Sequence, residues 1–202
     1  LPDIRWKDVG QHISSLIPVE RDDELVAAVP VSSFETNEQL VFVTKHGMAK
    51  RTELSQYQVQ RYTRPLVAVN LKEEDHVIAV YATDGRSLIW LATHDGYALL
   101  FSEEEVSLVG VRAAGVKGIQ LKQGDFVAAA CPIRPEDRDS LVVVTQRGAV
   151  KKMAVSEFEP TSRAKRGTMI VREVKSNPHR IVGAVKVSDG EETIGLRTEK
   201  GI

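Results

Sequence analysis

Short apolar runs recur along this chain, and each second run ends in the same punctuation, a threonine followed three residues later by a glycine. The copies are Thr44 to Gly47, Thr93 to Gly96, Thr145 to Gly148 and Thr198 to Gly201. Their glycines lie 49, 52 and 53 residues apart. A repeat of about fifty residues is the mark of stacked or radially arranged copies of one supersecondary unit. Each copy predicts four strands. The first runs are Leu25 to Val29, Val77 to Tyr81, Phe126 to Ala130 and Ile181 to Val185. The second runs are Leu40 to Val43, Leu88 to Leu91, Leu141 to Val144 and Ile194 to Leu196. The third strands are Met48 to Leu54, Tyr97 to Glu103 and Ala149 to Val155, and the fourth are Leu66 to Leu71, Val116 to Leu121 and Met169 to Val174.

These runs are roughly 4–8 residues long, rich in Val, Ile and Leu, and bounded by Gly, Asp and Pro, which favours strands over helices. Asp84-Gly85 and Asp189-Gly190 read as hairpin turns, because Gly supplies the positive φ that the turn needs. The repeated threonine predicts a strand-end hydroxyl bonded to the turn backbone. The second runs alternate weakly, which predicts burial on both faces. His12 to Val19 reads as the fourth strand of an earlier unit, and Trp6, within Pro2 to Gly10, as a packing anchor. The expected fold is all-β: four-stranded antiparallel blades in a propeller-like plan. The unit boundaries read as an incomplete blade 1–24, blades 25–74, 75–124 and 125–179, and an incomplete blade 180–202. The first residue is not Met and the fourth copy stops just after its turn, so the sequence reads as part of a longer polypeptide.

Composition adds little until charge is placed along the chain. Net charge is −1, so the total points to no partner. The single cysteine, Cys131, excludes an intrachain disulfide framework and reads as a buried thiol suited to a reducing cytoplasm. No run reaches the roughly 18 apolar residues of a membrane span. There is no phosphate-binding glycine loop, no dinucleotide fingerprint and no Cys/His zinc spacing. Glu73, Glu74 and Asp75 read as solvated turn acids. No catalytic constellation and no metal site is expected.

The local charge does vary with the repeat. From Lys45 to Leu66 the first copy carries Lys45, Lys50, Arg51, Arg61 and Arg64 against Glu53 alone. The third copy carries Arg147, Lys151, Lys152, Arg163, Lys165 and Arg166 against Glu157 and Glu159. The second reverses the balance, with Arg112 and Lys117 against Asp95, Glu103, Glu104 and Glu105. Basic segments at equivalent places in a repeat predict a positive stripe that neutralises phosphates without reading sequence. These thirteen Lys and Arg residues are the expected contacts to nucleic-acid phosphates. A solvated charged face is the plainer alternative.

The string Arg112-Ala113-Ala114-Gly115-Val116-Lys117-Gly118-Ile119, set after an apolar run, a Thr-x-x-Gly turn and a third strand, resembles the C-terminal domains of the A subunits of bacterial type IIA topoisomerases. Ser162 to Gly167 looks like a variant of it. Gln60-Arg61-Tyr62-Thr63-Arg64-Pro65-Leu66 stands where the gyrase branch carries a Gln-Arg-Arg-Gly-Gly-Arg-Gly box. It lacks the glycines, and together with Leu1 to Gly10 it looks like the topoisomerase IV branch of Gram-positive bacteria. The resemblance implies an open or broken β-propeller (a β-pinwheel) that binds and bends double-stranded DNA on its rim and presents it for decatenation. It implies no cofactor in this domain and ATP and Mg²⁺ in the parent enzyme, whose catalytic tyrosine is none of Tyr57, Tyr62, Tyr81 or Tyr97. The implied partners are the N-terminal breakage-reunion region and, in a heterotetramer, the topoisomerase IV B subunit. The implied location is the cytoplasm, at the nucleoid. A DNA-wrapping gyrase domain and a protein-interaction propeller remain alternatives.

Overall fold

The computed structural model describes residues 5, 7–20, 22–60, 65–172, 176–188 and 193–196. Its strands, in chain order, are β1 (Gln39–Thr44), β2 (Met48–Glu53), β3 (Val77–Thr83), β4 (Leu88–Thr93), β5 (Tyr97–Ser102) and β6 (Val116–Lys117), followed by β7 (Val127–Ile133), β8 (Ser140–Thr145), β9 (Val150–Ala154), β10 (Thr168–Met169) and β11 (Ile181–Val187). Helical structure among the described residues is limited to short 3-10 turns.

The strands form three sheets, and the sheets are out of phase with the sequence repeat. The first runs β3-β1-β2-β6, the second β10-β5-β4-β7 and the third β11-β8-β9. The hairpin β1–β2 thus lies between β3 and β6, both supplied by the following repeat. The hairpin β4–β5 lies between β7 and β10 in the same way. All pairings of the named strands are antiparallel. The units 25–74, 75–124 and 125–179 therefore describe the sequence period, whereas each sheet joins two consecutive copies. The edge strand β7 packs against both β3 and β11, so the sheets fan out from these first-run strands. β6 and β10 form the opposite, outer edge.

Two cores fill the gaps between sheets. Val41, Val43 and Ala49 of the first sheet meet Ile89, Leu91, Leu99 and Phe101 of the second. On the other face of that second sheet, Trp90, Ala92, Ala98 and Leu100 meet Leu141, Val143 and Met153 of the third. β4 and β5 are therefore buried on both faces, as the unalternating second run predicts for β4. Trp90 meets Phe158 edge to face, with ring centroids 5.9 Å apart. Each fully buried side chain of this size contributes about 1.5–3 kcal/mol of transfer free energy.

The Thr-x-x-Gly turns are built alike. Gly47, Gly96 and Gly148 have φ of 78°, 91° and 76°. The hydroxyls of Thr44, Thr93 and Thr145 accept the N–H of Met48, Tyr97 and Ala149 at 3.1, 3.3 and 3.2 Å. The next repeat then fastens the turn. Asp75 Oδ1 accepts from the N–H of His46, and Asp125 Oδ1 from that of Asp95, both at 2.9 Å. Asp75 is buried, so it departs from the expectation of a solvated turn acid.

Several expected strands are absent or shortened, for reasons that follow from the exchange of strands. Leu25 to Val29 and Leu66 to Leu71 form no strand, and the described residues before Leu25 include no hairpin for them to flank. His12 to Val19 instead contains a 3-10 turn at Ile13–Ser15, where His12 Nδ1 accepts from Ser14 N–H. Two fourth runs shrink to β6 and β10. Gly118 and Ile170 direct their N–H groups to Gly47 O and Gly96 O, both at 2.8 Å, and so leave the ladder. Ile194 to Leu196 forms no strand among the described residues. Trp6, Val174, Asp189-Gly190 and the Thr198 to Gly201 turn lie outside the described residues. Cys131, on β7, is partly buried, and burial pushes its thiol pKa up to about 12.

Candidate nucleic-acid interface

The third strand places one residue of each repeat opposite the same point of its hairpin. Lys50, Leu99 and Lys151 face Phe42, Leu91 and Val143. One position on, Arg51, Leu100 and Lys152 face Val41, Trp90 and Val142. Lys50 is only 1% exposed. Its Nζ donates to Ala68 O at 2.5 Å and to Val111 O, and burial holds its pKa below the ordinary lysine value. Arg51 is also buried, and its Nε donates to Val106 O at 2.9 Å. Both were expected to contact phosphate. The structure instead spends their donors on carbonyls of the first repeat's fourth run and of the second repeat's connection, and closes them to solvent.

Lys151 and Lys152 are exposed. Lys151 Nζ donates to Ile170 O at 3.0 Å, the counterpart of the Lys50–Ala68 bond. Lys152 stands at the Arg51 position on the third sheet, which has no fourth strand among the described residues. Its exposure comes from that unpaired edge. Lys45 is partly buried, with Nζ 4.9 Å from the Phe126 ring centroid. Arg147 is exposed, and its Nη1 donates to Asn177 O at 2.9 Å. Arg61 and Arg64 lie outside the described residues.

The connections that follow the third strands form the outer face. That of the third repeat lies across that of the second, and Arg163 is the strap. Its backbone N–H reaches Glu105 Oε2, its Nε reaches Glu105 O and its Nη1 reaches Lys117 O, all at 3.0 Å. Ala164 N–H bonds Gly118 O at 2.7 Å, and Gln120 N–H bonds Lys165 O at 2.9 Å. Arg163 is thereby committed to the fold, and it draws Lys117 and Lys165 together. Arg112, Lys117 and Lys165 are exposed. Arg166 is partly buried, with its guanidinium carbon 4.0 Å from the Tyr97 ring centroid.

Lys122, not among the expected contacts, joins this group: it is exposed and its Nζ lies 5.8 Å from the same ring. Its signal was present in the sequence, because Leu71-Lys72 and Leu121-Lys122 recur at the repeat spacing.

The acidic second copy is far less acidic in three dimensions than in sequence. Glu103 is fully buried, accepting from Thr83 Oγ1 and Ser87 N–H at 2.6 Å each. Asp95 pairs with Arg180 at 3.3 Å, and Glu105 is held by Arg163. The described residues include no group of three His, Cys, Asp or Glu side chains placed to hold a metal ion. No described helix is long and apolar enough to cross a membrane.

Radiating antiparallel sheets that share strands between repeats, with cations on their outer connections, define a β-propeller domain. The chain belongs to the DNA gyrase C-terminal domain, beta-propeller family, whose model matches residues 1–32, 38–84, 89–132 and 139–196. Within that family it is 54% identical over 201 residues to the A subunit of DNA topoisomerase 4 from Bacillus subtilis (strain 168), covering 100% of this chain and 25% of that protein. It is 39% identical over 189 residues to the corresponding protein of Staphylococcus epidermidis, covering 94% of this chain and 23% of that protein. The chain thus spans about a quarter of the length of these curated relatives.

Among solved structures, it resembles a crystal structure of the C-terminal domain of DNA topoisomerase IV, with a TM-score of 0.87 and 56% identity over 94% of this chain and 58% of that one. A DNA gyrase A C-terminal domain shares the fold, with a TM-score of 0.76 at 20% identity over 91% of this chain and 60% of that one.

Proposed function

We propose that this chain is the non-catalytic DNA-binding part of a topoisomerase IV A subunit, holding duplex DNA along its outer connections. The observation that carries the reading is the set of four exposed cations Arg112, Lys117, Lys122 and Lys165 on one family fold, two of which, Lys117 and Lys165, are brought together where the Arg163 strap crosses the second connection. Such cations neutralise backbone phosphates and release counterions, with little preference for sequence. In the parent enzyme the domain bends the captured duplex and presents it to the breakage-reunion region for decatenation and relaxation. There the ATP and Mg²⁺ chemistry, the catalytic tyrosine and the contact with the B subunit belong to other segments. The setting is the nucleoid in the cytoplasm.

Duplex affinity measured by fluorescence anisotropy against salt tests this. Four phosphate contacts give a slope of log K on log salt of about −3.6, a loss of roughly 150-fold between 50 and 200 mM. An affinity that stays within about twofold over that range contradicts the proposal.

A further inference from the structure

The connection of the next repeat meets β2 and β5 differently. From β2, Lys50 and Arg51 reach the carbonyls of Val111 and Val106 in the next repeat's connection, which at its end carries the small Ala113 and Ala114. On β5 the equivalent strand positions are Leu99 and Leu100, which have no donors to send. The cations have moved to the connection instead: Lys165 and Arg166 stand two residues and one residue before Gly167, as Ala113 and Ala114 stand before Gly115. The exchange leaves a cavity of about 580 Å³, lined by Leu99, Leu100, Lys151, Lys165 and Arg166 among others.

Arg166 Nε and Nη2 are buried there without a hydrogen-bond partner. The guanidinium rests on the Tyr97 face, and no described carboxylate pairs with it. A buried charge without an acceptor is costly, and an arginine fork fits the oxygens of a phosphate. Glu157 and Glu159 also line the cavity, and Glu157 is already engaged by the Ala154 N–H at 2.9 Å.

We propose that the gap between the second and third sheets is a phosphate-group site, anchored by Arg166 with Lys165 and Lys151 beside it. Nε and Nη2 are closed to bulk water, so the phosphate enters the cavity and shifts the guanidinium on Tyr97 to meet them. The phosphate belongs either to a duplex backbone or to a small free anion. The site adds to the rim reading without depending on it.

The test is NMR of the side-chain Nε–H of Arg166 in the whole chain, assigned by its loss in Arg166→Lys and titrated separately with inorganic phosphate, a short duplex and sodium chloride. A saturable shift with phosphate but not with chloride supports the site, and assigns it to free anions if the duplex leaves it unmoved. A shift with duplex alone assigns it to backbone phosphate. Glu159→Gln is expected to tighten the response severalfold. Equal shifts with chloride, or none with either ligand, overturn the proposal. Duplex that binds the rim while Arg166 stays unmoved by both ligands removes this site and leaves the rim reading standing. Phosphate that moves Arg166 while duplex fails to bind does the reverse.

Discussion

Lys50 and Lys151 occupy the same point of two hairpins, and each sends Nζ to a carbonyl of its own repeat's fourth run, Ala68 and Ile170. Lys50 also reaches Val111 in the next repeat, and there it is sealed. Replacing Lys50 with Ala leaves buried carbonyls unpaired, and chemical denaturation is expected to show a loss of about 1–3 kcal/mol. The salt slope of duplex binding should stay unchanged. Lys165→Gln should do the opposite, with stability within about 0.5 kcal/mol of the parent and a salt slope shallower by about 0.9. The two lysines look alike in sequence because charge is local there. The burial of Lys50 depends on partners 18 and 61 residues away. Glu103 misleads in the same way: it reads as surface acid and serves as an internal acceptor for Thr83 and Ser87.

The elements that depend on local pattern were legible: β1, β4 and β8 fall on the second apolar runs, and the turn glycines have the left-handed backbone their motif requires. The fourth strands were overread, because apolar content marks Val116 to Leu121 while the turn of another repeat takes the Gly118 N–H. What defines β10 is Gly167, with φ of 82° and a place where an added Cβ would lie 2.1 Å from Ala98 O. Gly167→Ala should cost about 1–2 kcal/mol for the left-handed backbone alone, with the clash in addition. Hydrogen exchange at Thr168 and Met169 should accelerate.

At the inner end, Lys186 of β11 ties Asp137 and Asp139 of the β7–β8 connection at 2.5 and 3.1 Å. Burial alone would raise the Asp137 pKa, but the Lys186 hydrogen bond, the Arg134 backbone N–H and the positive charges of both residues together outweigh it and hold the carboxyl below its ordinary value of 3.8. Burial alone would lower Lys186, but its bonds to the two aspartates hold it above 10.5. The carboxylate's contribution is present above about pH 3.8 and is lost as pH falls through the depressed value. The lysine's contribution is present below about pH 10.5 and is lost as pH rises through the elevated one. Urea midpoints measured against pH should therefore fall off less steeply at both ends in Lys186→Met than in the parent.

Across the whole molecule, strand exchange converts a sequence repeat into a chain of interlocked sheets, in which each hairpin is finished by its successor. The repeat could be read from the Thr-x-x-Gly spacing, and the propeller plan from that repeat together with the four apolar runs assigned to each unit. The phase of the sheets could not, because the pattern fixes which residues form strands and not which copy supplies the neighbour. Lys50 and Arg51 on β2 are sealed under the next repeat's connection, whereas Lys151 and Lys152 on β9, Arg112 and Lys165 on the connections, Lys117 on β6 and Lys122 just beyond the fourth run are exposed. In the proposed function Arg112, Lys117, Lys122 and Lys165 hold the duplex. The salt dependence of duplex affinity in the fourfold variant Arg112→Gln, Lys117→Gln, Lys122→Gln and Lys165→Gln, compared with the parent at matched stability, tests this. The slope is expected to flatten from about −3.6 to near zero; a variant that keeps the parent's slope and affinity would contradict the proposed contacts.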